Sequence, residues 1–549
     1  MKRILLLIIS ILSSGFISFS QNTLGNTLQT ASSAPGYTLF TASTETYLIN
    51  NCGEVVNQWS STFPPGNAVY LREDGSILRA GRTSSSDITF GGQGGVIEIF
   101  DWDGTMTWQY FYDTPQIPGV RQHHDIYPMP NGNVLILAAT IVSESEALAL
   151  GRDPSLLPEG RLYNERILEV TPSGLNGATE VWQWNIIDHV VSDCDDMGTN
   201  CGMVADNPRK LDINFVNGGS GGANWLHINS VQYNENLDQI ILSSRNLSEI
   251  YIIDHSTTTA EAATSSGGTY GQGGDFLWRW GNPQSYDQGT EADRQLFGQH
   301  YPHIIPDGLT DAGKLIIYNN GNGRDPLFSE VDILSLPQTV TGFYDYTPGT
   351  AYGPTSPDYT YEDPTDPTDF FSAILSSAQR LPNGNTLICE GINGRFFEID
   401  AMENMVWEYI SPVNSNTGAI ASQGDDPASI ANLSFRALKY DPSYTAFDGR
   451  DLTPGNPIEN NSSSNVSCTL NESSFDLANI SIYPNPIVDY LSIESSIIIE
   501  DVIIYDLRGT KVLSKRFHSK IDLSFLPSGI YILKLISQNK SITKKIVKQ

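Results

Sequence analysis

The 549-residue sequence lacks an N-terminal apolar stretch long enough to cross a bilayer. Ile4–Leu12, broken only by Ser10, falls short of the roughly 20 residues that a membrane helix needs. Basic residues are scarce, with 31 Lys and Arg against 62 Asp and Glu and a net charge of −31. That balance argues against a general affinity for nucleic acid or for anionic membrane surfaces. Five cysteines are too few for a disulfide scaffold, although an exported chain can oxidise pairs that meet. Cys194 and Cys201, at the ends of one short loop, are expected to close a small ring. Spacing does not pair Cys52, Cys389 or Cys468. Histidine is sparse too, at eight residues, so any clustering of imidazoles carries information.

What the chain does have at its start is Met1-Lys2-Arg3, a short apolar core and small residues up to Ser20. This is the pattern of a cleaved signal peptide, expected over 1–20, with no anchor left behind. The charge is unevenly spread. Residues 481–549 hold 10 Lys/Arg against 6 Asp/Glu, so the preceding residues carry the whole acidic excess, and a domain boundary is expected between them.

Two patterns alternate through the body. One is an apolar strand, a tight turn on Asn-Gly or Asp-Gly and a second apolar strand, as around Gly75, Gly132, Gly308 and Gly384, with a looser copy over Val231–Ser243. The other is a strand followed by one ending near Trp, as at Trp59, Trp108, Trp184, Trp280 and Trp407. Together they make a four-stranded blade, the repeat of a β-propeller. The count predicts an all-β chain with six blades over 21–455. Phe435–Tyr440 is expected to close the ring by pairing with the N-terminal hairpin at 46–59, leaving no open edge. An Asn/Ser/Pro-rich linker is expected over 456–480, then a small Ig-like β-sandwich over 481–549.

In a propeller the inner strands start around one channel mouth, so equivalent positions meet there. His124 lies eight residues before Gly132 and His300 eight before Gly308. The same offset gives Asn67 before Gly75 and Ser376 before Gly384, and His227 leads into the looser hairpin. Three of eight histidines are therefore expected at one mouth. His123 and His303, out of phase with them, are expected to face neighbouring blades. His189 and His255 lie in loops, and His518 in the C-terminal segment. Asp101-Trp102-Asp103-Gly104 lacks the further acidic ligands of a calcium loop and reads as a turn.

These residues bring a family into view. Trp225-Leu226-His227-Ile228-Asn229, Arg245 eighteen residues after His227, Phe297-Gly298-Gln299-His300 and His123-His124-Asp125 resemble the bacterial arylsulfotransferases in order and approximate spacing. The resemblance implies a secreted six-bladed enzyme that moves a sulfuryl group from an aryl sulfate donor to a phenolic acceptor, without a nucleotide donor, metal or other cofactor. It implies His300 as the nucleophile that forms a sulfohistidine. His227, Asn229 and Arg245 would hold the sulfate oxygens, and His124 would complete the site. The family has Asp after the position of His300, whereas Tyr301 stands here, which leaves the orientation of the His300 ring open.

Tyr483-Pro484-Asn485-Pro486, Asp506-Leu507-Arg508-Gly509 and Leu526-Pro527-Ser528-Gly529-Ile530-Tyr531 resemble the sorting domain of the type IX secretion system of Bacteroidetes. That resemblance implies the secretion machinery as a partner and passage through the periplasm and outer membrane to the surface or medium. Three alternatives stay open: a non-catalytic propeller that binds a glycan or protein, an aryl-sulfate hydrolase using the same site and, last, a quinone-dependent dehydrogenase propeller.

Overall fold

Gly75, Gly132 and Gly384 adopt φ values of 83°, 85° and 90°, and the N–H of each donates to the carbonyl three residues earlier, closing a tight turn. Each turn joins the first two strands of a sheet. The computed structural model describes residues 22–84, 87–113, 118–193, 200–218 and 221–462, and in the C-terminal part 480–495, 499, 501–506, 510–517, 519–537 and 540–549. The expected signal peptide and most of the expected linker lie outside these residues.

Among the described residues before 463, the chain is nearly all β and builds six antiparallel sheets of four meandering strands, one of which carries a fifth. Their innermost strands are Pro65–Leu71, Val120–Pro128, Ile228–Asn234, His300–Ile304, Ser377–Arg380 and Ala437–Tyr440. Each lies beside the innermost strand of the next sheet, and Pro65–Leu71 lies beside Tyr37–Ala42 of the last one, so the arrangement is a propeller-like ring. Ala437–Tyr440 pairs with Tyr37–Ala42, which continues into Glu45–Asn50 and Val55–Ser60. Both ends of the body thus share one sheet. A second tie was not anticipated: Gly25–Gln29 adds an outer fifth strand antiparallel to Met405–Ile410.

The recurring tryptophans have a common task. From the fourth strand of a sheet, counted outward from the innermost, an indole N–H donates to a carbonyl of the following sheet or its connecting loop. Trp59 reaches Asp101 at 2.8 Å, Trp108 Gly177 at 2.7 Å, Trp184 Gly274 at 2.8 Å, Trp278 Gly353 at 2.9 Å and Trp407 Asn51 at 2.7 Å. An indole covers much apolar surface while its single donor meets a carbonyl that burial would otherwise leave unpaired, so each latch both packs and aligns two sheets.

Residues 467–549 form a second compact unit. Its described strands make two antiparallel sheets, one of Ile480–Tyr483, Tyr490–Ser495 and Lys520–Asp522, the other of Lys511–Arg516, Asp501–Tyr505, Gly529–Ser537 and Lys540–Lys548. Leu491, Ile493, Val502, Ile504, Leu533 and Ile546 form part of its core. No helix among the described residues is long and apolar enough to cross a membrane.

Candidate active site

His300 opens its inner strand and is buried. Its Nδ1 lies 2.7 Å from Oδ1 of Asn320, whose amide nitrogen donates to the carbonyls of Ser372 and Leu375 at 2.7 and 3.1 Å. With its nitrogen so committed, Asn320 must present oxygen to the ring. His300 therefore donates from Nδ1 and keeps a lone pair on Nε2. Burial, with the nearby Arg245 and Arg436 charges adding to it against the Asn320 bond, lowers the His300 pKa to about 3, so the ring is neutral at physiological pH. Asn320 follows strand Leu315–Asn319 and carries no motif, so sequence reasoning missed it.

His227 receives the opposite treatment. The amide nitrogen of Asn224 lies 2.7 Å from its Nδ1, so the hydrogen of His227 stays on Nε2. The rings of His227 and His124 meet at 4.6 Å and 70°, and Phe90 packs against both. Burial, reinforced by neighbouring cationic groups, pushes both pKa values well below the usual histidine range. Arg245, whose backbone N–H donates to the His227 carbonyl, is half-buried, and burial lowers its pKa. No carboxylate lies within ion-pair distance of it among the described residues, in a chain with twice as many acids as bases. A cleft of about 270 Å³ lined by Asn217, Asn224, Trp225 and Asn246 opens beside this pair.

The histidines converge, but from two backbone positions rather than one. Gln122 and Gln299 do the same work, each bonding the first residue of the third strand of the preceding sheet, Gly95 N–H at 2.9 Å and the Glu249 carbonyl at 2.8 Å. By that measure His300 corresponds to His123, and Tyr301 to His124. Backbone conformation agrees, since the left-handed residues are His124 at φ 50°, His227 at 49° and Tyr301 at 52°. The equal offset from the turn glycine misleads because the two inner strands bulge differently: Gln122 to Ile126 runs opposite Ala138 to Ile136, two residues in excess, whereas His300 to His303 runs opposite Tyr318 to Ile316, one in excess. Left-handed backbone at non-glycine residues costs about 1–3 kcal/mol each and persists only where the surroundings impose it.

Beneath the site, Asp125 ties the inner strands together. It accepts from Arg436 Nη1 and Nη2 at 3.2 and 2.9 Å, Tyr70 at 3.1 Å, Ser230 at 3.2 Å and Gln232 at 3.0 Å, all buried. Tyr301 belongs to this plug: the Arg436 guanidinium lies 3.7 Å from the centroid of its ring. The residue after His300 thus packs on Arg436, and Asn320 bonds the His300 ring instead.

Other expectations resolve differently. The Asn229 amide donates to the Gln299 carbonyl at 2.8 Å, holding the backbone just before His300. The His123 ring meets Phe90, from a loop of the preceding sheet, at 4.8 Å, and also lies 2.8 Å from Glu165 of its own sheet and 3.0 Å from His124. His303 stacks on Tyr301 at 4.4 Å. Cys52 and Cys201 each belong to a disulfide and Cys389 is a buried free thiol, while Cys194, Cys468 and His518 lie outside the described residues.

Comparison with known proteins gives two family matches. A model described as Arylsulfotransferase (ASST) matches residues 73–427, well over half the chain, and a Secretion system C-terminal sorting domain matches 481–549. No curated protein matches. Among solved structures, a protein of unknown function from Bacteroides caccae is 11% identical, covering 74% of this chain and 99% of its own, with a TM-score of 0.38. Virginiamycin B lyase from Staphylococcus aureus is 10% identical over 63% of this chain and 69% of its own, at a TM-score of 0.27. A protein of unknown function from Dyadobacter fermentans is 13% identical over 67% and 84%, at 0.29. The sorting domain marks the protein for type IX export to the cell surface or medium, and with its body matched over that length the chain belongs to the arylsulfotransferase family.

Proposed function

We propose that this exported sulfotransferase moves a sulfuryl group from an aryl sulfate to a phenol through a sulfohistidine at His300, on a ring of six blades. The observation that carries the reading is the Asn320 contact, which leaves Nε2 of His300 neutral and unprotonated. In the first step the Nε2 lone pair attacks sulfur, and the sulfur–oxygen bond to the aryl group breaks with its electron pair leaving on the phenolate. In the second, the acceptor oxygen attacks sulfur and the sulfur–nitrogen bond returns its pair to the imidazole. Dividing one displacement in two suits a nucleophile that is also a good leaving group. Arg245 and the Nε2 hydrogen of His227 would hold the sulfuryl oxygens, fixed donors where negative charge grows. Asn229 would act through the Gln299 carbonyl rather than on the substrate, and His124 would serve the acceptor side.

The same reading takes 1–20 as a signal peptide, 21–455 as the catalytic ring, 456–480 as a linker and 481–549 as an Ig-like sorting sandwich, with a Cys194–Cys201 disulfide. His300→Ala is expected to abolish both the burst of 4-nitrophenolate from 4-nitrophenyl sulfate and the sulfated-histidine peptide found by mass spectrometry. A mutant that transfers as well as wild type sinks the role of His300. Sulfate released at the same rate with and without added phenol would favour a hydrolase, and an inert wild type a binding module.

A further inference from the structure

Behind the mouth, Glu165, His123 and His124 form a chain that the steps above leave unused. His123 Nε2 lies 2.8 Å from Glu165 Oε2, at ion-pair distance, and neither atom has a hydrogen-bond partner among the described residues. His123 Nδ1 lies 3.0 Å from Nδ1 of His124. Glu165 Oε1 accepts from the Ile228 N–H at 3.2 Å, which anchors the carboxylate beside His227. All three side chains are buried, and Phe90 packs on both rings. Two nitrogens 3.0 Å apart need one hydrogen between them. A carboxyl oxygen 2.8 Å from Nε2 favours a hydrogen on that nitrogen, and His123 then offers Nδ1 as an acceptor. His124 must then donate from Nδ1, which leaves its Nε2 unprotonated. Phe435 lies against both His124 and His300, with ring centroids at 6.3 and 6.4 Å, so one side chain touches this ring and the proposed sulfuryl carrier.

We infer that Glu165 and His123 are positioning residues that fix His124 as the base for the acceptor, an inference that rests on the sulfuryl-transfer reading. The phenolic proton passes to Nε2 of His124 as the phenol oxygen bonds sulfur and the bond from sulfur to His300 breaks. The resulting imidazolium shares its Nδ1 hydrogen with His123, and Glu165 offsets the charge.

Glu165→Gln tests this while preserving volume and an acceptor for the Ile228 N–H. Its amide N–H would face His123 Nε2, reversing both tautomers so that His124 Nε2 carries a hydrogen and cannot take another. Transfer to a phenol that is protonated at the assay pH is expected to fall on the order of 10²-fold. Transfer to a phenol already ionised at that pH, and the 4-nitrophenolate burst, should stay within about 3-fold of wild type, a split that a merely structural role would not produce. His123→Gln, which cannot reach His124 Nδ1, should show the same selective loss; His123→Asn, whose oxygen can, should retain more. These two variants decide the matter if Glu165→Gln fails to fold. Equal losses with both acceptors, or no loss, would overturn the inference. A wild type without a burst overturns the sulfuryl-transfer reading itself, and this inference with it.

Discussion

Asn320 and Asn224 turn opposite ends of the same amide toward two imidazoles, and the chemistry of the site follows from that difference. Oxygen on Nδ1 frees a lone pair at His300, and nitrogen on Nδ1 leaves a hydrogen at His227. Asn320→Ala is expected to lower the rate of the 4-nitrophenolate burst by about 10²-fold with little change in donor KM, because the nucleophile loses its orientation and not the substrate its binding partners. Stopped-flow absorbance would measure it. Motif matching found His300, His227 and His124 because imidazoles are rare in this chain. It missed Asn320, Glu165 and Arg436, whose residue types are common and whose positions acquire meaning only when distant strands come together.

Between elements, ionic latches add to the tryptophan ones. His255 follows the third strand of one sheet and bridges Asp238 at 2.6 Å and Glu169 of the preceding sheet at 3.1 Å, with Trp182 packed on its ring. Burial pulls its pKa down, but the bonds and charges of the two carboxylates outweigh it and raise the value to about 9. The folded value lies above the unfolded one near 6.5, so the stabilisation is complete below about pH 6.5 and is lost as pH rises through 9. Allowing for the half-exposed Asp238, it is of the order of 2 kcal/mol. Tm should therefore fall between pH 6.5 and 9.5 in wild type, and His255→Asn should flatten that slope, as read by calorimetry across the range. Sequence placed His255 in a loop, correctly, but a loop assignment says nothing about which neighbouring sheet the side chain meets.

For the whole molecule, the first 480 residues carry 21 basic against 56 acidic residues, so an anionic donor approaches an opposing field before it reaches Arg245. Salt shortens the reach of that field from about 30 Å at 0.01 M to about 8 Å at 0.15 M. The kcat/KM for an aryl sulfate is accordingly expected to rise several-fold over that range, measured at fixed pH with initial rates. A site whose own positive charge dominated approach would show the opposite trend.

The sequence by itself determined the alternation of turn glycines and tryptophans, the β-rich body, the boundary at which charge changes sign and the motifs of family and export. Those are local or periodic signals, written within a few dozen residues. Tertiary structure alone decided that His300 and His124 occupy different backbone positions, that Tyr301 packs on Arg436 while Asn320 bonds the His300 ring, and which side chain meets each imidazole. Each of these depends on the size of the bulge in one strand or on a partner from another strand or sheet, and distances between such parts are set by the closed ring and by no stretch of sequence within it.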